Sequence, residues 1–309
     1  MNESLSSLTS ELQQRVELTR PPYNSRWLSL LENCEAGGMR FKDQTFYEPA
    51  FLGFSHRANK LGLKGPDNVA ADSVICGTSF ALGVGVDQGS NWYELNDCHT
   101  NSLNIGFPVS NYDHLCRLDH LYHGKFERLI YIYHPNVWFT GIVFQKARQR
   151  GVSIFQSMRW DKMETQKFQY PKYLWRNVAK KISGSYRTVR FNGNKFSLNS
   201  NYCMVDDHKY EAYLQREVDD VRKLFHCFKS VIAIRVPIKE EVFARHTRVF
   251  SEQSEQISRL WHEFCGKVKC QEILDLSTSF EPHHYHQFDH HWNKAGNARF
   301  AGLISELAD

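Results

Sequence analysis

The sequence predicts an α/β fold: a parallel sheet of five strands with helices on both faces. Three observations predict it. Short apolar runs that read as buried strands recur along the chain. Amphipathic helical stretches separate them, and strands that alternate with helices pair in parallel. With 309 residues, 41% of them hydrophobic, the chain can fill one large core, or a core domain with a sizeable insertion.

The first strand is Val74 to Cys76. It ends at Gly77, which permits a sharp turn, and Ser79 follows just past the strand end. In an open α/β sheet that is where chemistry usually sits. A serine after a strand is common, so alone it is a weak signal. A Gly-rich loop with Gly83, Gly85 and Gly89 comes next, and Asn91 to Leu95 starts a short helix. Residues 101–107 read as a second strand and Asn111 to Tyr122 as a helix. Arg128 to Tyr133 is a strongly β-prone third strand, with a helix from Trp138 to Arg150. Ser230 to Val236 is the fourth strand, stopped by Pro237. Glu240 to Lys267 is mostly helical, Glu272 to Leu276 is the fifth strand, and the last helix runs from Lys294 to Leu307.

Two regions stand apart from this alternation. Residues 1–56 form an N-terminal extension of helix and loop, with amphipathic helical segments in 1–35. Within the main domain, 57–309, residues 151–229 read as an insertion, largely helical, placed over the core as a lid or as peripheral packing. It holds an aromatic and basic stretch from Phe168 to Tyr186, an Asn-rich loop at 192–201 and a helix from Tyr210 to Phe228.

Composition removes several function classes. The formal net charge is +4, and the Lys and Arg residues read as scattered, so nucleic acid is not an expected partner. No stretch approaches the ~18 apolar residues of a membrane span. The start is polar without a signal-like apolar region, and the eight cysteines form no CxxC pair. Reduced thiols and a cytoplasmic location are therefore expected. No phosphate loop or dinucleotide fingerprint occurs, and no cofactor is expected. Oligomeric state is left open.

A second cluster of chemistry precedes the last helix, in His283 to Asn293. Three readings compete. It is a solvated polar loop; or a metal site, since five His and one Asp can hold a divalent ion, although no HExxH occurs; or Asp289 and His291 are the orienter and base of a serine nucleophile. In the third reading the carboxylate fixes the imidazole tautomer, so the other ring nitrogen can take the Ser79 proton. Asn293 can cap the following helix, whose positive end favours a neutral base.

The order of these motifs resembles the SGNH (GDSL-like) hydrolases, a superfamily of serine esterases and acyl-transfer enzymes. Gly77-Thr78-Ser79-Phe80 is similar to the nucleophile block, and Leu61 to Pro66 to its lead-in. Leu103 to Val109, with Gly106, resembles the second block. Asn136 matches the third, and Asp289 to Asn297 the last. The resemblance covers about 57–150 and 230–308. It implies a three-layer, flavodoxin-like α/β/α sandwich with a five-stranded parallel sheet. It also implies a triad of Ser79, His291 and Asp289, and an oxyanion hole from the Ser79 and Val109 N–H groups and the Asn136 amide. Three departures stand out: Thr78 replaces the usual Asp, Val109 replaces a Gly, and His134-Pro135 precedes Asn136 in place of Gly-x.

The expected function is serine-dependent hydrolysis of an acyl ester, small or linked to a carbohydrate. An O-acyltransferase uses the same triad, and Val109 keeps open a catalytically inactive binding module.

Overall fold

The computed structural model describes residues 72–83, 85–86, 88–96, 102–106, 126–135, 186–199, 207–247, 249–268, 270, 272–287 and 290–306. The helices expected in 1–35, 111–122 and 138–150, and the aromatic stretch 168–185, lie outside them.

Five strands form one sheet: β1 (Ser73–Gly77), β2 (Ser102–Asn104), β3 (Arg128–Tyr133), β6 (Ser230–Arg235) and β7 (Glu272–Asp275). The order is β2-β1-β3-β6-β7, and every pairing is parallel. Chain order reverses between β1 and β3, and a doubly wound sheet opens a crevice at the C-terminal strand ends there. Ser79 lies just beyond that end of β1.

The alternation of side chains along each strand builds two cores. Val74, Cys76, Leu129, Tyr131, Tyr133, Val231 and Ala233 face one side. There they meet Val218, Val221, Leu224 and Phe225 of α3 (Asp207–His226), and Trp261 and Phe264 of α5 (Ser251–Lys267). Ile75, Ile132 and Ile234 face the other side, with Val242 of α4 (Lys239–Thr247) and Phe300 and Ile304 of α6 (Lys294–Ser305). The architecture is the expected three-layer α/β/α sandwich. No helix among the described residues is long and apolar enough to cross a membrane.

Two local expectations change, and a third, that 240–267 is mostly helical, holds with a break. The Asn-rich loop at 192–201 is largely a strand: β4 (Tyr186–Phe191) and β5 (Asn194–Asn199) form an antiparallel hairpin. Asn192 and Gly193 turn it with φ of 47° and 78°, the paired positive values of a two-residue hairpin turn. The segment read as helical insertion therefore contains β structure, and α3 packs against the sheet core as the covering helix before β6. The long helical stretch 240–267 is two helices, parted at Phe250, whose φ is +65°.

Arg235 closes the end of β6. Its buried guanidinium bonds Glu241 of α4, Asp275 of β7 at 2.9 Å and Ser258 of α5 at 3.3 Å. Burial opposes ionisation of Asp275, but the Ser277 hydrogen bonds and Arg235 outweigh it and hold the carboxyl below its ordinary value.

Candidate active site

Ser79 does not enter a loop directly. It opens α1 (Ser79–Leu82), with Thr78 as N-cap. A helix of four residues has almost no stability of its own, and its terminal carbonyls need partners. Three side chains from two other segments supply them. Trp92 Nε1 donates to Phe80 O at 3.0 Å, and Asn104 Nδ2 to Ala81 O at 2.8 Å. Asn91 Nδ2 donates to Leu82 O at 3.2 Å and Gly83 O at 2.8 Å. Asn91 also caps α2 (Trp92–Leu95).

Two glycines allow this packing. Gly77 has φ +150°, and a Cβ there would lie 2.5 Å from Ile132 O. A Cβ on Gly106 would lie 2.6 Å from Ala81 Cβ. Gly106 is buried, and its N–H donates to Asn104 Oδ1 at 2.8 Å. The second block is thus pressed against the serine turn.

His291 arrives from the far end of the chain. Tyr285 and Trp292 form an antiparallel bridge, and His286 N–H donates to His291 O at 3.1 Å. Asn293 caps α6 by accepting from Gly296 N–H at 3.1 Å, as expected, and its amide donates back to His283 O and Tyr285 O. Trp292 stacks on Phe280, with ring centroids 4.9 Å apart, and meets Phe80 edge-on at the same separation. The residue after the histidine is thereby packed against the residue after the serine.

The outcome is one short contact: His291 Nε2 lies 2.8 Å from Ser79 Oγ. The two side chains belong to residues 212 positions apart, at 7% and 6% exposure. A solvated loop does not describe His291. Its neighbours are engaged separately: His284 Nδ1 accepts from Glu281 N–H at 2.9 Å, and His286 Nε2 meets Gly85 O at 2.9 Å. No group of three or more metal-ligating side chains occurs among the described residues. Asp289, Val109 and Asn136 lie outside the described residues. The strands preceding Val109 and Asn136 in sequence, β2 and β3, flank β1 on either side.

Two residues beside the site carried no functional reading in the sequence. His134, at the end of β3, is buried and stacks on Phe80 at 3.9 Å. Its pKa is driven well below 6.5 by burial first, then by His290 and His291. The sign follows from linkage. Unfolded, this imidazole takes a proton near pH 6.5; folded, it resists until much lower pH. Stability is therefore full above that value and falls on acidification, with a slope approaching about 1.4 kcal/mol per pH unit. Urea midpoints at pH 7 and pH 5 should show the loss, and His134→Phe should flatten it. An unchanged slope in the variant would assign the loss to other groups.

Lys239, the first residue of α4, is wholly buried. Its ammonium donates to Ser197 O at 2.9 Å, His286 O at 2.7 Å and Gln287 O at 2.8 Å. It joins hairpin β4–β5 to the loop that carries His291. Nothing local marks it, since a lysine opening a helix after Pro237-Ile238 reads as solvent-facing.

No family model and no curated protein matches this chain. Among solved structures, it is similar to an acetyl xylan esterase, with 12% identity, 77% of this chain and 100% of that one covered, and a TM-score of 0.41. An extracellular lipase from Streptomyces rimosus gives 11%, 77%, 99% and 0.41. A carbohydrate acetylesterase from Sinorhizobium meliloti gives 12%, 76%, 97% and 0.37. These likenesses are distant.

Proposed function

We propose that this chain hydrolyses acyl esters, with Ser79 as nucleophile and His291 as general base. The 2.8 Å contact between Nε2 and Oγ, at the strand end where the sheet order reverses, carries the reading. Ser79 Oγ attacks the ester carbonyl while its proton passes to His291 Nε2. The tetrahedral oxyanion collapses, and the imidazolium returns that proton to the departing alcohol oxygen. Water, deprotonated by His291, then attacks the acyl-enzyme; its carbonyl bond to Ser79 Oγ breaks, the imidazolium returns the proton to Oγ, and the carboxylic acid leaves.

In this reading Asp289 accepts the other ring N–H of His291 and fixes the tautomer. The Ser79 N–H lies in the first turn of α1, where backbone donors have no partner within the helix. With the Val109 N–H and the Asn136 amide it receives the oxyanion, and one such donor is typically worth roughly 3 kcal/mol of barrier. The substrate is a small or carbohydrate-linked acyl ester. A sugar hydroxyl in place of water gives O-acyl transfer from the same acyl-enzyme, and product analysis with and without an acceptor separates the two. A binding module without turnover has no need of a serine set against a buried histidine base.

A fluorophosphonate probe followed by intact mass measurement tests the proposal. A single adduct is expected on wild type and none on Ser79→Ala. Absence of an adduct on folded wild type would overturn it.

A further inference from the structure

The positive charge is not spread as evenly as the overall balance implies. Residues 165–205 hold eight Lys and Arg and no Asp or Glu. Those eight exceed the whole chain's net charge of +4, so the rest of the chain is net negative. Hairpin β4–β5 is the described part of this stretch. Its inner face buries Phe196 and Leu198 with Phe243 and Phe250. On its outer face Arg190 stands directly opposite Lys195, both exposed.

Like charges directly opposed across a two-stranded ladder destabilise it. Neither Arg190 nor Lys195 has an acidic partner among the described residues. An anionic group lying across both would turn that repulsion into two charge-assisted hydrogen bonds. The hairpin is also tied to the catalytic loop. Ser197 N–H donates to Gln287 O at 2.7 Å, beside the Lys239 ammonium, and Gln287 lies four residues before His291. A molecule held on β5 therefore lies beside the loop that supplies the base.

Resting on the ester-hydrolase reading, we propose that hairpin β4–β5 is the docking rim for an acidic polysaccharide, and that the substrate is an acyl group on such a chain. Two exposed cations side by side near the tip of the hairpin suit the repeated carboxylates of a polymer. The exposed positions next to the charged pair are Asn192, Gly193 and Asn194, which suit hydroxyl groups. The large apolar side chains exposed among the described residues, Leu95 and Ile273, are not on the hairpin, as a membrane surface would require. Among the hairpin residues whose burial is described, Phe191 is half-buried and Phe196 buried, so neither is an exposed platform for stacked bases.

Isothermal titration of the full chain with polygalacturonate oligomers tests this, with single-stranded DNA and phosphatidylserine vesicles as competing ligands. Wild type should bind the polyuronate, and about 0.5 M NaCl should weaken binding by screening. The exposed double variant Arg190→Gln/Lys195→Gln should bind about 10-fold more weakly. Its kcat/KM on p-nitrophenyl acetate should match wild type. Equal polyuronate binding by the double variant, no binding by wild type, or tighter binding of DNA or vesicles would overturn the proposal. Salt-sensitive polyuronate binding lost in the double variant, from a wild type inert to the fluorophosphonate probe, would keep the rim and overturn the hydrolase reading alone.

Discussion

Ser79→Ala and His291→Ala each lower kcat on p-nitrophenyl acetate by about four orders of magnitude or more, and the double variant is no slower than either. In the proposed mechanism one proton moves between these two atoms, which lie 2.8 Å apart. Removing either atom removes the whole transfer, so the second removal has nothing left to take. Independent contributions would multiply instead. A double variant slower by the product of the single effects would show that the residues act separately and would overturn the shared step. Ser79→Ala is the cleaner single change, because it deletes one oxygen and leaves the packing of α1 in place. His291→Ala also removes a ring 5.2 Å from that of Phe80, so its melting temperature is the control that separates lost chemistry from lost packing.

Lys239→Met has the largest expected effect on stability, about 3 kcal/mol. Methionine matches the length of the stem but brings no donor. Ser197 O and His286 O, both on half-buried residues, then lose the ammonium, while Gln287 O keeps the Ser197 N–H. Hydrogen bonds to a charged group contribute roughly 1.5–3 kcal/mol each, and more than one is lost at once, which is why the loss is large. Because His286 and Gln287 belong to the loop leading to His291, kcat should fall as well. Denaturation midpoints at constant m-value measure the first effect and ester turnover the second. A loss under about 0.5 kcal/mol, within the range of ordinary surface changes, would show that the three contacts are not what holds the loop.

The sheet was legible because its central strands are apolar on both faces. Ser230 to Arg235 and Arg128 to Tyr133 alternate between two buried layers, and such runs stand out against polar connections. The hairpin was equally signalled, by Asn192-Gly193 between Val189, Phe191 and Phe196, Leu198. Its Asn-rich composition, however, reads as a loop. The contact between Ser79 and His291 was expected from the order of motifs, not from either residue alone. Their approach is long-range, and no local pattern encodes it. Lys239 and Arg235 were not legible at all: the groups that satisfy their charges come from up to 48 residues away, so only the folded chain shows why a charge is tolerated there.

The distance in sequence between serine and histidine also makes the site a clock for folding. β1 and α1 can form from residues 73–82, whereas the contact of Nε2 with Oγ joins residues 212 positions apart and should close after such local structure. Contacts so far apart close late, since the entropy of a long loop must be overcome before they are rewarded. Recovery of probe labelling during refolding therefore reports the last assembly step, behind the growth of sheet and helix signals. On the proposed mechanism, a half-folded chain should carry a serine that is chemically ordinary, and probe reactivity should come only with the finished molecule.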